Sequence, residues 1–208
     1  MHNKQVQRER KRDFNMGKQN WRLILSVSVL AVLLLAGGSL AGGVASAAGL
    51  SEAIFEGPTL ITSVGQSADG QLVKVLADRV GIAYTYETLA PADAVKDYKT
   101  LILVVGGSSK GLGAAGINQD QEEARAKALI AAAKDAGTKI LFMHVGGEAR
   151  RGDLTDRFVT ISAAAANYLI VVADGNKDGF MTNAAGGAPL DMAETVGDAG
   201  RFLKAAYK

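Results

Sequence analysis

Apolar residues fall into two different patterns along this chain. Near the amino end, positions 23–35 read LILSVSVLAVLLL, and no charge appears between Arg22 and Glu52. From position 59 onward, five short apolar runs alternate with segments of helical periodicity. The runs are Thr59–Val64, Ile82–Tyr86, Thr100–Val105, Lys139–Val145 and Tyr168–Ala173. Within three of them, LILVV, ILFMHV and YLIVVA are nearly continuous rather than alternating. Continuous apolar runs of this length predict parallel strands covered on both faces.

Helices are expected between the runs. Leu72, Val75, Leu76 and Val80 predict a buried stripe after Gly70, and Pro91 predicts the first turn of a short helix reaching Tyr98. Asp120 and Glu123 have capping-box spacing ahead of Ala126, Leu129, Ile130 and Ala133, with Gly137 at the C-cap. A further helix is expected from about Asp153 to Ala165. The last is expected to start at Asp191 and reach Tyr207, with Met192, Val196 and Leu203 on its apolar face. Alternating strands and helices imply right-handed parallel crossovers. The expected fold is a three-layer α/β sandwich with a five-stranded parallel sheet in the flavodoxin-like order 2-1-3-4-5. Ligands of such sheets bind beyond the carboxyl ends of the strands, at the switch point between strands 1 and 3.

Charge changes the picture of the amino end. The first 22 residues carry seven Lys/Arg against Glu9 and Asp13, a net of +5, so the remainder of this +2 chain is net −3. A basic flank against an apolar core predicts a cytoplasmic leader at 1–22 and export of the remaining chain. Residues 23–47 read as a signal-peptide core or membrane anchor with a small-residue region. A cut after Ala41 or Ala47 competes with an uncleaved anchor, and the core of 13 residues favours cleavage. Residues 48–57 read as a short tether and 58–208 as one extracytoplasmic α/β domain, periplasmic or at the cell surface. The expected partner of the amino-terminal helix is the lipid bilayer. The domain has no basic signal for nucleic acid. With 48% apolar residues the chain can build a core, and with no cysteine it has neither disulfides nor thiolate sites.

Many of the 25 glycines follow the predicted strands. Strand 1 leads into GQSADG, strand 3 into GGSSKGLGAAG, strand 4 into GGEARRGD after His144, and strand 5 into DGNKDG. In the expected topology all four loops meet at one edge. The segment Gly107–Gly113 resembles the GxxxGxG cofactor loop of short-chain dehydrogenases. It follows the third strand, however, and no Tyr-x-x-x-Lys pair accompanies it. Lys110 is also misplaced for a Walker A loop, so no cofactor is expected. Its backbone N–H groups, with Ser108, Ser109 and Lys110, suit a carboxylate or phosphate. Arg150 or Arg151 could clamp the same anion in bidentate fashion, with acidic neighbours Glu148 and Asp153 competing for them. Ser67 sits at a strand-to-helix turn, as a hydrolase nucleophile or a plain helix cap. With His144 and Glu148 it sketches a Ser/His hydrolase. Asp174, Asn176 and Asp178 match half of a calcium loop, but Ala185 stands where the bidentate Glu belongs, so no metal is favoured.

The stretches TSVGQSAD, LILVVGGSSKGLGAAGI, MHVGGEARRGDLTD and YLIVVADGNKDGF resemble those of an uncharacterised family of bacterial extracytoplasmic α/β domains of unknown function. The resemblance covers about residues 59–183. It implies one intact exported domain and makes Ser67, Ser108, Lys110, His144, Glu148, Arg150, Arg151, Asp174, Asn176 and Lys177 the first candidates for a shared site. The expected function is binding of a small anionic metabolite at the strand-end loops by an envelope-associated, non-enzymatic domain. A Ser/His hydrolase and a structural or partner-binding domain are the alternatives.

Overall fold

The computed structural model describes residues 49–208. The leader at 1–22, the segment expected at 23–47 and the first residue of the tether therefore lie outside the described residues. Six parallel strands form one sheet in the order β2-β1-β3-β4-β5-β6. They are β1 (Thr59–Val64), β2 (Tyr84–Tyr86), β3 (Thr100–Val105), β4 (Lys139–His144), β5 (Tyr168–Val172) and β6 (Leu190–Ala193). The helices are α1 (Asp69–Val80), α2 (Ser109–Ala114), α3 (Gln119–Ala136), α4 (Asp153–Ala163), α5 (Phe180–Ala184) and α6 (Val196–Ala206). No described helix is long and apolar enough to cross a membrane.

The near-continuous runs are explained by a sheet covered on both sides. Alternate residues of β3 serve two cores: Leu101, Leu103 and Val105 face α3 and α4, while Ile102 and Val104 face α1 and α6. Phe158, Leu129 and Phe142 fill the first layer, and Tyr168, Leu76 and Leu203 the second. The chain winds outward from β1 to β2, then crosses back to β3, which places the switch point between β1 and β3.

The flavodoxin-like order holds, with a sixth strand added. Residues 190–193 do not open the last helix. They pair with β5 in register Leu190↔Leu169 to Ala193↔Val172, and the Tyr168 hydroxyl donates to the Asp191 carboxylate at 2.5 Å. The helix begins five residues later, capped by Thr195, whose oxygen accepts from the Asp198 N–H. Met192, expected on that helix, is an exposed strand residue. The Asp120–Glu123 box is likewise replaced by Asn118 and Gln121, which cap α3 reciprocally. On α1 the buried stripe is Val73, Leu76 and Ala77; Leu72 and Val75 are 43% and 47% exposed.

Residues 49–57 are bound to the domain and are no free tether. Phe55 is fully buried between Tyr168 and Tyr207, and its backbone bridges Tyr207.

Candidate functional site

The loops after β1 and β3 continue their pairing beyond the strands. Gly106 N–H donates to the Val64 carbonyl at 2.9 Å, Ser67 N–H to Gly106 at 3.1 Å, and Ser108 N–H to Gly65 at 2.8 Å. Two backbone positions need glycine for this closure. Gly65 has φ +96°, and a Cβ on Gly111 would run into the Gln66 carbonyl oxygen. Gln66 itself has φ 58° without being glycine, an uncommon backbone state. It is held there by Glu122 of α3, whose fully buried carboxylate accepts from Gly65 N–H at 2.8 Å and from Gln66 Nε2 at 2.9 Å. Arg125 pairs with Glu122 and donates onward to the Ala90 and Ser63 carbonyls. A buried carboxylate needs such company, because desolvation otherwise penalises its charge.

Over this zipped turn lies Asp69, the first residue of α1, with its side chain 3% exposed. Arg150 Nε donates to Asp69 Oδ2 at 3.2 Å across the ends of β3 and β4. Glycine is required underneath: a Cβ on Gly106 would lie 2.7 Å from both Asp69 Oδ2 and Ser67 Oγ. Thr155 fixes the far side. Its hydroxyl donates to the Arg150 carbonyl and accepts from Gly107 N–H at 2.8 Å. Arg150 is 34% exposed, and among the described residues its Nη1 and Nη2 have no acceptor.

The expected site residues separate into two groups. Ser67 and Arg150 meet at the switch point beside Asp69, and Ser108 caps α2 by accepting from Gly111 N–H at 3.0 Å. Ser109 and Lys110 follow on the exposed first turn of that helix. The others serve the fold. Arg151 grips Asp156 and Asp178 with paired hydrogen bonds, donates to the Gly175 carbonyl and stacks over Phe180. Those bonds, Asp156 first, raise its pKa further. Asp178 is held at about 2 by the same guanidinium and by the Phe180 N–H. Asn176 accepts from Met181 N–H and donates to Thr182. Asn176 and Asp178 of the half calcium loop are thus turned to protein partners, and among the described residues no acidic or histidine cluster could hold a metal. Glu148 bonds Lys177, which lowers the carboxyl and raises the ammonium. Asp153 opens α4 and forms no ion pair with either arginine among the described residues.

The sketched hydrolase triad does not assemble. His144 is fully buried, with Nδ1 2.9 Å from the Val105 carbonyl and Nε2 3.2 Å from that of Gly147. Carbonyls only accept, so neither ring nitrogen is turned to Ser67 as a base. Ser67 Oγ instead accepts from Asp69 N–H at 3.3 Å. Two residues central to the arrangement, Asp69 and Glu122, were not expected from the chain. Asp69 had a signal: an acid stands where a nucleophile elbow needs a small residue.

Two open hollows lie at the opposite edge, where the strands begin. One, of about 440 Å³, is lined by Ile54, Glu56, Lys99, Lys139 and neighbours, and the other, of about 460 Å³, by Thr59, Ile82, Lys204 and Tyr207.

No curated protein and no solved structure matches the chain. A family model described as Domain of unknown function (DUF6305) matches residues 56–207. That span takes in β1 through α6, including β6 and the last helix, beyond the 59–183 resemblance. The chain belongs to this family of domains of unknown function.

Proposed function

We propose that this is an envelope-associated domain that recognises a small anionic group at the switch point through Arg150. The observation that carries the reading is the guanidinium itself. Asp69 anchors its Nε from below, and both Nη groups are left with unused donors above the ends of β3 and β4. An anchored planar fork is preorganised for a carboxylate or phosphate. Lys110 and Ser109 are exposed on the first turn of α2, which follows β3, and add charge and a hydroxyl. The exported placement rests on the basic leader and the apolar run at 23–35.

The reading is tested by thermal shift with a library of carboxylates and phosphates, comparing wild type with Arg150→Lys. Lysine keeps a charge for Asp69 and removes the fork. Stabilisation of wild type that is lost in the variant is expected. No stabilisation by any organic anion sinks the reading.

A second reading is favoured by the closed backbone between the β1 and β3 loops: a structural or partner-binding envelope domain without a small ligand. Its signature is a protein partner retained by Arg150→Lys with no response to any anion.

A further inference from the structure

The edge of the sheet where the strands begin carries a charge pattern that the switch-point reading leaves unused. The two hollows there share Lys208 and are separated by the entry into β1. Five lysines line them: Lys96, Lys99, Lys139, Lys204 and Lys208. Among the lining side chains only Glu56 and Asp97 oppose them, so the lining of the two hollows sums to +3, while residues 49–208 together are net −3. Lys99 forms an exposed 3.4 Å pair with Glu56. Among the described residues the other four lysines form no ion pair.

We propose that this amino edge is a docking surface for the phosphate headgroups of an anionic bilayer. Three features favour a bilayer over a single bound anion. The lysines are spread around two broad, open hollows instead of converging on one buried point, which suits a laterally mobile array of phosphates. Each is a flexible, strongly hydrated point charge, effective near a charged surface without fixed geometry. The described chain also leads into β1 here, through Ile54 to Pro58, and the apolar run at 23–35 lies upstream in the sequence. Near an anionic surface each lysine contributes roughly a fivefold gain in affinity, within about one Debye length. The inference rests on the envelope placement proposed above and is independent of Arg150. It puts the carboxyl-edge loops on the side of the domain away from the lipid.

The test uses the full chain reconstituted in nanodiscs of phosphatidylcholine, with or without phosphatidylglycerol. Amine-reactive labelling is read at each lysine by mass spectrometry. Slower labelling of Lys96, Lys139 and Lys204, by several-fold, is expected in anionic discs only, with Lys110 and Lys177 unchanged. The protection should disappear in a K96E/K139E/K204E variant, read at Lys99 and Lys208, and in about 0.5 M salt. Equal labelling of both edges in all discs overturns the proposal, as does equal protection in zwitterionic discs. Protection by inorganic phosphate without lipid overturns it in favour of a free-anion site. A chain that fails to insert into any disc defeats the envelope placement itself, whereas loss of the Arg150 response leaves this result untouched.

Discussion

The two edges of the sheet handle glycine and charge in opposite ways. At the carboxyl edge the loops are glycine-rich, and the backbones close on each other: Ser67, Gly106 and Ser108 complete hydrogen bonds past the ends of β1 and β3. Of the cations there, Arg151 is taken up by Asp156 and Asp178 and Lys177 by Glu148, while Asp69 holds Arg150 through Nε alone. At the amino edge the loops are ordinary in sequence, yet the surface is open and four lysines are unpaired among the described residues. A glycine cluster after a strand therefore reports close approach of backbone to something, and here much of that something is the neighbouring loop.

The largest expected effect is at the support of the closed edge. Glu122→Ala strips acceptors from Gly65 and Gln66 and leaves Arg125 without its buried partner. A loss of about 3–5 kcal/mol is expected in urea unfolding. Glu122→Gln, which keeps an acceptor for the Gly65 N–H, should lose less. If alanine costs nothing, the closed turn is not held from α3.

The glycine contrast is sharpened within one helix. Gly111→Ala drives a Cβ into the Gln66 carbonyl, whereas a Cβ on Gly113 meets nothing within 4 Å. The first should cost about 1–3 kcal/mol. The second should be neutral or stabilise by about 0.4–1 kcal/mol. Equal midpoints in thermal or urea unfolding would mean the two loops are not packed as described.

The edges should also fail at opposite ends of the pH scale. Burial pushes the Tyr207 hydroxyl up to about 12 from 10.0, against the lowering effect of its hydrogen bond to Thr59 at 3.0 Å. The folded state thus holds a proton that the unfolded chain releases. Its contribution is full below pH 10 and is lost as pH rises towards about 12, a fall on the order of 2 kcal/mol. Tyr207→Phe should flatten that limb of the urea midpoint against pH; an unchanged limb assigns it to other groups.

The smallest effect belongs to Asp178. Its carboxyl sits at about 2 instead of 3.8 because Arg151 and the Phe180 N–H bond its charged form. That contribution is present above pH 3.8 and fades as pH falls towards about 2. Wild type and Asp178→Asn should therefore converge in stability over this window. Because Asp178 is exposed, the difference should also shrink in about 0.5 M salt. A difference that persists at pH 2 would show the asparagine acting through the turn and not through charge.

Five of the six strands, their parallel direction and their order were legible in the chain, because a strand buried on both faces must be apolar throughout. The strand starts at Thr59, Thr100, Lys139 and Tyr168 match the expected ones. β6 was not legible. Four residues with an acid among them carry no periodic signal, and they become a strand only because β5 offers an edge and Tyr168 a partner for Asp191. Helix capping failed for a related reason: Asp, Asn, Ser and Thr are nearly equivalent caps in a sequence, and the choice of Asn118 or Thr195 follows from where the chain turns out of the preceding loop.

The candidate site divides along the same line. That the loops after β1, β3, β4 and β5 share an edge follows from strand order, and strand order follows from local hydrophobic pattern. Which polar groups within those loops satisfy each other depends on contacts between residues far apart in the chain. Asp69 reaches Arg150 across 81 positions and Gly65 reaches Glu122 across 57. Such pairing is chosen by geometry among several equally charged neighbours, so Arg150 and Arg151, adjacent and chemically identical, end with different roles. One is saturated by three acceptor residues, and the other keeps both Nη groups free at the switch point.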